Sequence, residues 1–120
     1  YSTWSFIDGD GVNGINKSSS AIAENPKPVV YHDILYVVWE ETSSSTPYPD
    51  QIRIAEWDGA STWTFKDGNG SNGINKDDSY YGVSPGIAVF NSRVYAIWSE
   101  ASLPITSSSR IGQIRVAEAN

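Results

Sequence analysis

Apolar residues along this chain fall into short runs bounded by Gly, Pro, Asn, Asp or Ser, and nowhere recur at i, i+3, i+4, i+7 for longer than one turn. Strands are expected and helices are not. Pro28-Val29-Val30-Tyr31 and Ile34-Leu35-Tyr36-Val37-Val38-Trp39-Glu40 are two such runs, joined by His32-Asp33 in the manner of a β-hairpin. Gly86-Ile87-Ala88-Val89-Phe90 and Arg93-Val94-Tyr95-Ala96-Ile97-Trp98-Ser99, joined by Asn91-Ser92, repeat the arrangement. Asn and Asp tolerate the positive φ that two-residue hairpin turns require. Gln51 to Trp57 alternates polar and apolar residues as a third strand, and Gln113 to Glu118 is its twin. Thr3 to Ile7 and Thr62 to Lys66 read as short aromatic strands, while the residues from Lys17 to Asn25 read as a polar stretch without a strand signal.

The runs recur because the chain repeats itself. Trp63-Thr64-Phe65-Lys66-Asp67-Gly68-Asn69-Gly70-Ser71-Asn72-Gly73-Ile74-Asn75-Lys76 restates Trp4-Ser5-Phe6-Ile7-Asp8-Gly9-Asp10-Gly11-Val12-Asn13-Gly14-Ile15-Asn16-Lys17 at an offset of 59 residues. The register slips only between Glu100 and Gln113, where the loop is three residues longer than its counterpart. Insertions of that kind belong in surface loops. With strands A (Pro28–Tyr31), B (Ile34–Glu40), C (Gln51–Trp57) and D (Thr62–Lys66), each repeat is four short antiparallel strands. This is the pattern of one blade of a β-propeller. The expected fold is therefore all-β, with two blades per chain, residues 1–62 forming the first repeat and 63–120 the second.

The chain starts on a D strand and stops on a C strand, so residues 1–7 are expected to complete the blade begun at Pro85 in a neighbouring copy. Two blades cannot close a ring, and head-to-tail contacts between copies can. A homotrimer with six blades is the first expectation, followed by a dimer with four and a tetramer with eight. A piece of a longer propeller, natural or engineered, would carry the same exposed faces.

Composition narrows the partners. A net charge of −6 and a pI near 4.5 speak against nucleic acid and anionic membrane surfaces, which attract basic patches. The absence of cysteine removes disulfides and thiolate metal sites. No apolar run reaches the roughly 20 residues of a membrane-spanning helix, and no targeting signal stands in this chain.

Strands that alternate in direction bring the D-to-A and B-to-C loops out on one face, which is where a binding site is expected. Trp39 and Trp98 end strand B beside that face, Glu41 and Glu100 lie just beyond, and Asn13, Asn16, Asn72 and Asn75 lie across the loop. Sugars are held by an aromatic plate together with amides and carboxylates, which makes these eight residues a candidate carbohydrate site. The competing expectation is that the tryptophans pack between blades. Asp8, Asp10, Asp67 and Asn69 alternate as calcium ligands do, yet the Val12 or Ser71 and the Asn that follow break the register of such a loop. No metal or other cofactor is therefore favoured, and structural Asx turns account for the loop.

No catalytic residue is expected. His32, the single histidine, falls in a turn and its counterpart is Asn91, so no Ser-His-Asp set can be assembled. A glycosidase is the third expectation and would need two acids facing one pocket in environments that push their pKa values apart; Glu40 aligns with Ser99. Arg53 and Arg115, each flanked by Ile or Val in strand C, are expected to hydrogen-bond between blades.

A Trp opening strand D and Tyr-x-x-Trp in strand B (Tyr36 to Trp39, Tyr95 to Trp98) give the chain a form that resembles bacterial and fungal β-propeller lectins. Its two-blade length resembles small fucose-binding lectins that trimerise into six-bladed rings. The repeat unit is also similar to tandem propeller repeats of secreted bacterial surface proteins. Asp58-Gly59-Ala60-Ser61-Thr62-Trp63 resembles the Asp-box of sialidase propellers, a structural turn. These resemblances imply a non-enzymatic module, extracellular or at the cell surface, whose partners are glycans and copies of itself and whose binding gains from multivalency. The alternative is a structural or protein-interaction module with no small ligand, in which Trp39 and Trp98 are buried.

Overall fold

The computed structural model describes residues 3–8, 14–43, 50–67 and 73–120, and statements below refer to these. They form seven strands and no helix: β1 (Ala21–Tyr31), β2 (Ile34–Ser43), β3 (Gln51–Trp57), β4 (Trp63–Phe65), β5 (Tyr81–Phe90), β6 (Arg93–Ala101) and β7 (Gln113–Glu118). Two antiparallel sheets result, one ordered β1-β2-β3-β4 and the other β5-β6-β7. Neighbours in sequence are neighbours in the sheet throughout, as hairpin connections dictate.

Local chemistry sets the turns. His32 and Asp33 have φ of 50° and 62°, and Asn91 and Ser92 have 47° and 58°. Two consecutive positive φ values define the tight turn whose twist matches its flanking strands, and each turn closes its hairpin directly, Tyr31 opposite Ile34 and Phe90 opposite Arg93. Between β3 and β4, Asp58 makes the turn by itself. One carboxylate oxygen accepts the backbone N–H groups of Ala60, Ser61 and Thr62 at 2.7, 2.8 and 3.1 Å. Those donors, Ala60 foremost, then Thr62 and Ser61, hold the Asp58 carboxyl below the usual range.

Three expectations need correction. Strand A begins at Ala21 and not at Pro28, and its counterpart begins at Tyr81 and not at Gly86. Each carries a break in register, between Glu24 and Lys27 and between Val83 and Gly86, with Asn25 and Ser84 at φ of 54° and 55°. Pro26 and Pro85 sit inside these bulges, where a missing N–H costs no ladder bond. Strand B is longer too, running to Ser43 and Ala101. Thr3 to Ile7, expected as a strand, pairs with no strand; Trp4 is 89% and Phe6 87% exposed. Five residues cannot hold an extended form without a sheet edge beside them, and here the Trp63 indole N–H, donated to the Ile7 carbonyl at 2.8 Å, ties the segment down.

The core lies between the sheets. Val38, Ile52 and Ile54 of the first pack against Ala96 and Trp98 of the second, with Ile74, Ile87 and Ala117 around them. Backbone bonds lock the junction: Ile74 donates to the Ile52 carbonyl at 3.0 Å and Gly82 to that of Asp50 at 2.8 Å. The Asn75 side chain completes it by accepting from the Ile52 N–H and donating to the carbonyls of Asp50 and Tyr80, each at 2.9 Å. Gly73 is required here, since its φ is +58° and a Cβ would stand 2.1 Å from the Ile52 oxygen.

The second sheet lacks such a cover. Ile97, Ile114 and Val116, the counterparts of Val38, Ile52 and Ile54, are exposed, the last two at 72% and 61%.

Candidate functional site

Trp39 and Glu41 are two apart on β2 and so point to the same face of the sheet. The indole N–H donates to one Glu41 carboxylate oxygen at 3.1 Å, and the backbone N–H of Lys17 donates to the same oxygen at 2.8 Å. The N–H of Ser18 reaches the other oxygen at 3.3 Å. On β3 the Arg53 guanidinium donates to Asp67 at 3.3 Å and to Gln51 at 2.8 Å, and lies 4.0 Å from Glu41. Phe65 on β4 meets Trp39 edge-on at 5.9 Å, and the Lys17 ammonium sits 4.5 Å above the Phe65 ring.

The second repeat rebuilds half of this cluster. Trp98 donates to Glu100 at 2.9 Å, and the N–H groups of Lys76 and Asp77 donate to the same carboxylate at 2.8 and 3.2 Å. Arg115 lies 3.7 Å from Glu100 and donates to Gln113 at 2.8 Å. The counterparts of Phe65 and Asp67 are Phe6 and Asp8, which are not beside it. Arg115 Nε is buried without a hydrogen-bond partner among the described residues.

Each carboxylate thus fastens the loop that enters strand A to the strand that leaves it, and each indole is the third donor. Both indoles are 3% exposed, Glu41 is 4% and Glu100 is fully buried. A buried carboxylate that receives three N–H groups is satisfied by the fold itself. Asn75 is the clamp between sheets described above, and Asn16 donates to the Ala21 carbonyl at 3.5 Å. Asn13 and Asn72 lie outside the described residues.

The same holds for Asp10 and Asn69 among the weak metal candidates. Asp67 is buried with Arg53 as its partner, and Asp8 is half-buried near Gly14. No group of three or more metal-ligating side chains occurs among the described residues. The Arg53 contacts to Glu41, Asp67 and Gln51 lie within its own sheet and the residues just after it. His32 stacks on Tyr31 at 3.9 Å in its turn.

Sequence reasoning missed the pairing of indole with carboxylate. Its signal was present as Trp-x-Glu at the same place in both repeats, with an Arg on the adjacent strand. No family model matches the chain, and no match is found among curated proteins or solved structures.

Proposed function

We propose that this chain is a non-catalytic β-propeller module that assembles through its own repeats into a ring, six blades from three copies being the first expectation. The repeated Trp-Glu-Arg clusters are then the fasteners of the blades. The observation that carries this reading is the mismatch between the two ends of the structure. The second sheet stops at β7 with Ile97, Ile114 and Val116 exposed, while Trp4 and Phe6, twins of two residues of β4, stand in solvent. Large exposed apolar surfaces and a bare sheet edge drive association. In a longer chain the same two surfaces would meet flanking repeats instead of separate copies.

Assembly links stability to concentration, because copies bind the folded chain and not the unfolded one. The midpoint of thermal unfolding is expected to rise with protein concentration from micromolar upward. A midpoint independent of concentration would count against the proposal.

Carbohydrate binding through Trp39 and Trp98 is the second reading. It is favoured by a cavity of about 230 Å³ beside Trp39 that brings together Ile15, Asn16, Glu24 and Pro26, an amide and a carboxylate against an apolar wall. In the second repeat the equivalent surface, around Ile74 and Ala96, packs on the first sheet, so a ring would cover it. Glycan-array binding by the assembled protein that is lost in Trp39→Ala would put this reading first.

A further inference from the structure

We propose that the second sheet carries a built socket for Phe6 and Asp8 of a second copy of this chain, formed by Trp98, Lys76 and Arg115. This rests on the ring assembly proposed above and adds the residues that hold it together.

The first repeat supplies the template. There one segment, β4 and the two residues after it, delivers two side chains spaced Phe-x-Asp to one cluster: Phe65 meets Trp39 and lies under Lys17, and Asp67 receives the Arg53 guanidinium. All three hosts recur in the second repeat as Trp98, Lys76 and Arg115. Around them a groove of about 340 Å³ lies open, lined also by Ile74 and Ala117. Arg115 is placed as Arg53 is, donating to Gln113 at 2.8 Å with Nε 3.7 Å from Glu100, and β7 beside the groove is the edge of its sheet.

The occupant is specified by the same template. Trp4-Ser5-Phe6-Ile7-Asp8 repeats Trp63-Thr64-Phe65-Lys66-Asp67, with Phe and Asp two apart so that an extended strand presents both on one side. Phe6 is exposed, and its own chain holds the segment beside Trp63 of the first sheet, not beside β7. Laid along β7 of a second copy, as β4 lies along β3, the segment puts an aromatic ring between indole and ammonium and a carboxylate beside the Arg115 guanidinium, as Asp67 lies beside Arg53. Apolar, cation–π and charge-assisted contacts are then all made by one five-residue strand.

The test is sedimentation of the full chain over a dilution series, for the wild type and for Phe6→Ala, Asp8→Asn, Phe6→Tyr and Ile105→Ala. Phe6 is exposed in the single copy, so its loss leaves the fold intact, which far-ultraviolet circular dichroism checks. Phe6→Ala is expected to weaken assembly roughly tenfold or more, the factor that burying one aromatic side chain commands. Asp8→Asn should weaken it less and in a salt-dependent way, and Phe6→Tyr should retain it. Ile105, 60% exposed and outside the groove, should be silent. A wild type that assembles, with Phe6→Ala assembling equally tightly, would overturn the socket and leave the ring standing. A wild type that stays monomeric at all concentrations would overturn both.

Discussion

Glu100 shows what a single residue does in this fold. It is fully buried, and three N–H groups converge on its carboxylate from Trp98, Lys76 and Asp77. Glu100→Gln keeps the shape but turns an amide N–H₂ toward donors, and leaving buried polar groups unsatisfied should cost about 2 kcal/mol. Trp98→Phe removes one donor and leaves the loop amides bound, which should cost about 1 kcal/mol. Urea unfolding at one fixed protein concentration measures both, and a Gln variant as stable as the wild type would contradict the role given to the carboxylate. Asp58 gives a pH dependence. Its carboxyl is held low by the N–H groups of Ala60, Thr62 and Ser61, so the ionised form is favoured in the fold. The stability it contributes is complete above the unfolded value of about 3.9 and is lost as pH falls through the lower, folded value. Asp58→Asn should therefore flatten the acid limb of stability below about pH 4, as followed by fluorescence of the tryptophans across an acid titration.

At the scale of elements, the strands marked by apolar alternation were legible and the segments without it were not. The limits of β3 and β7, Gln51–Trp57 and Gln113–Glu118, coincide with the runs read from hydrophobic alternation. The first seven residues of β1 were invisible because only backbone pairing holds them; their side chains are largely exposed and a bulge with Pro26 interrupts the ladder. What meets Trp39 was equally beyond the sequence, since Phe65 at its edge and Lys17 above Phe65 come from distant segments. The junction between sheets depends on close backbone approach. A Cβ on Gly82 would lie 2.7 Å from Asn75 Oδ1 and 2.9 Å from Ile52 Cγ1, and Gly82→Ala should cost about 1–3 kcal/mol by overpacking. The matching residue of the first repeat is Ala23, so the proposed contact between copies would not reproduce the internal junction atom for atom. Asn75→Ala strands the buried Ile52 N–H and should cost about 2 kcal/mol, whereas Asn16→Ala, whose one bond seen here is 3.5 Å long, should cost a single copy little. Denaturant midpoints of the two variants compare these costs, and equal losses would contradict the clamp.

For the whole molecule, the duplication turns one sheet junction into a rule for the next. Within the chain, the face made by Val38, Ile52 and Ile54 is buried by the second repeat. The equivalent face of Ile97, Ile114 and Val116 is open, and the equivalent of the segment that ends the first sheet stands exposed at Trp4 and Phe6. Heterologous contacts of this kind propagate until rotation closes them. Native mass measurement of the purified 120-residue chain tests this most directly. The account predicts one closed species at a fixed multiple of 13.1 kDa, three copies first, with no open series of larger assemblies. A chain that remains at 13.1 kDa at all concentrations would contradict it.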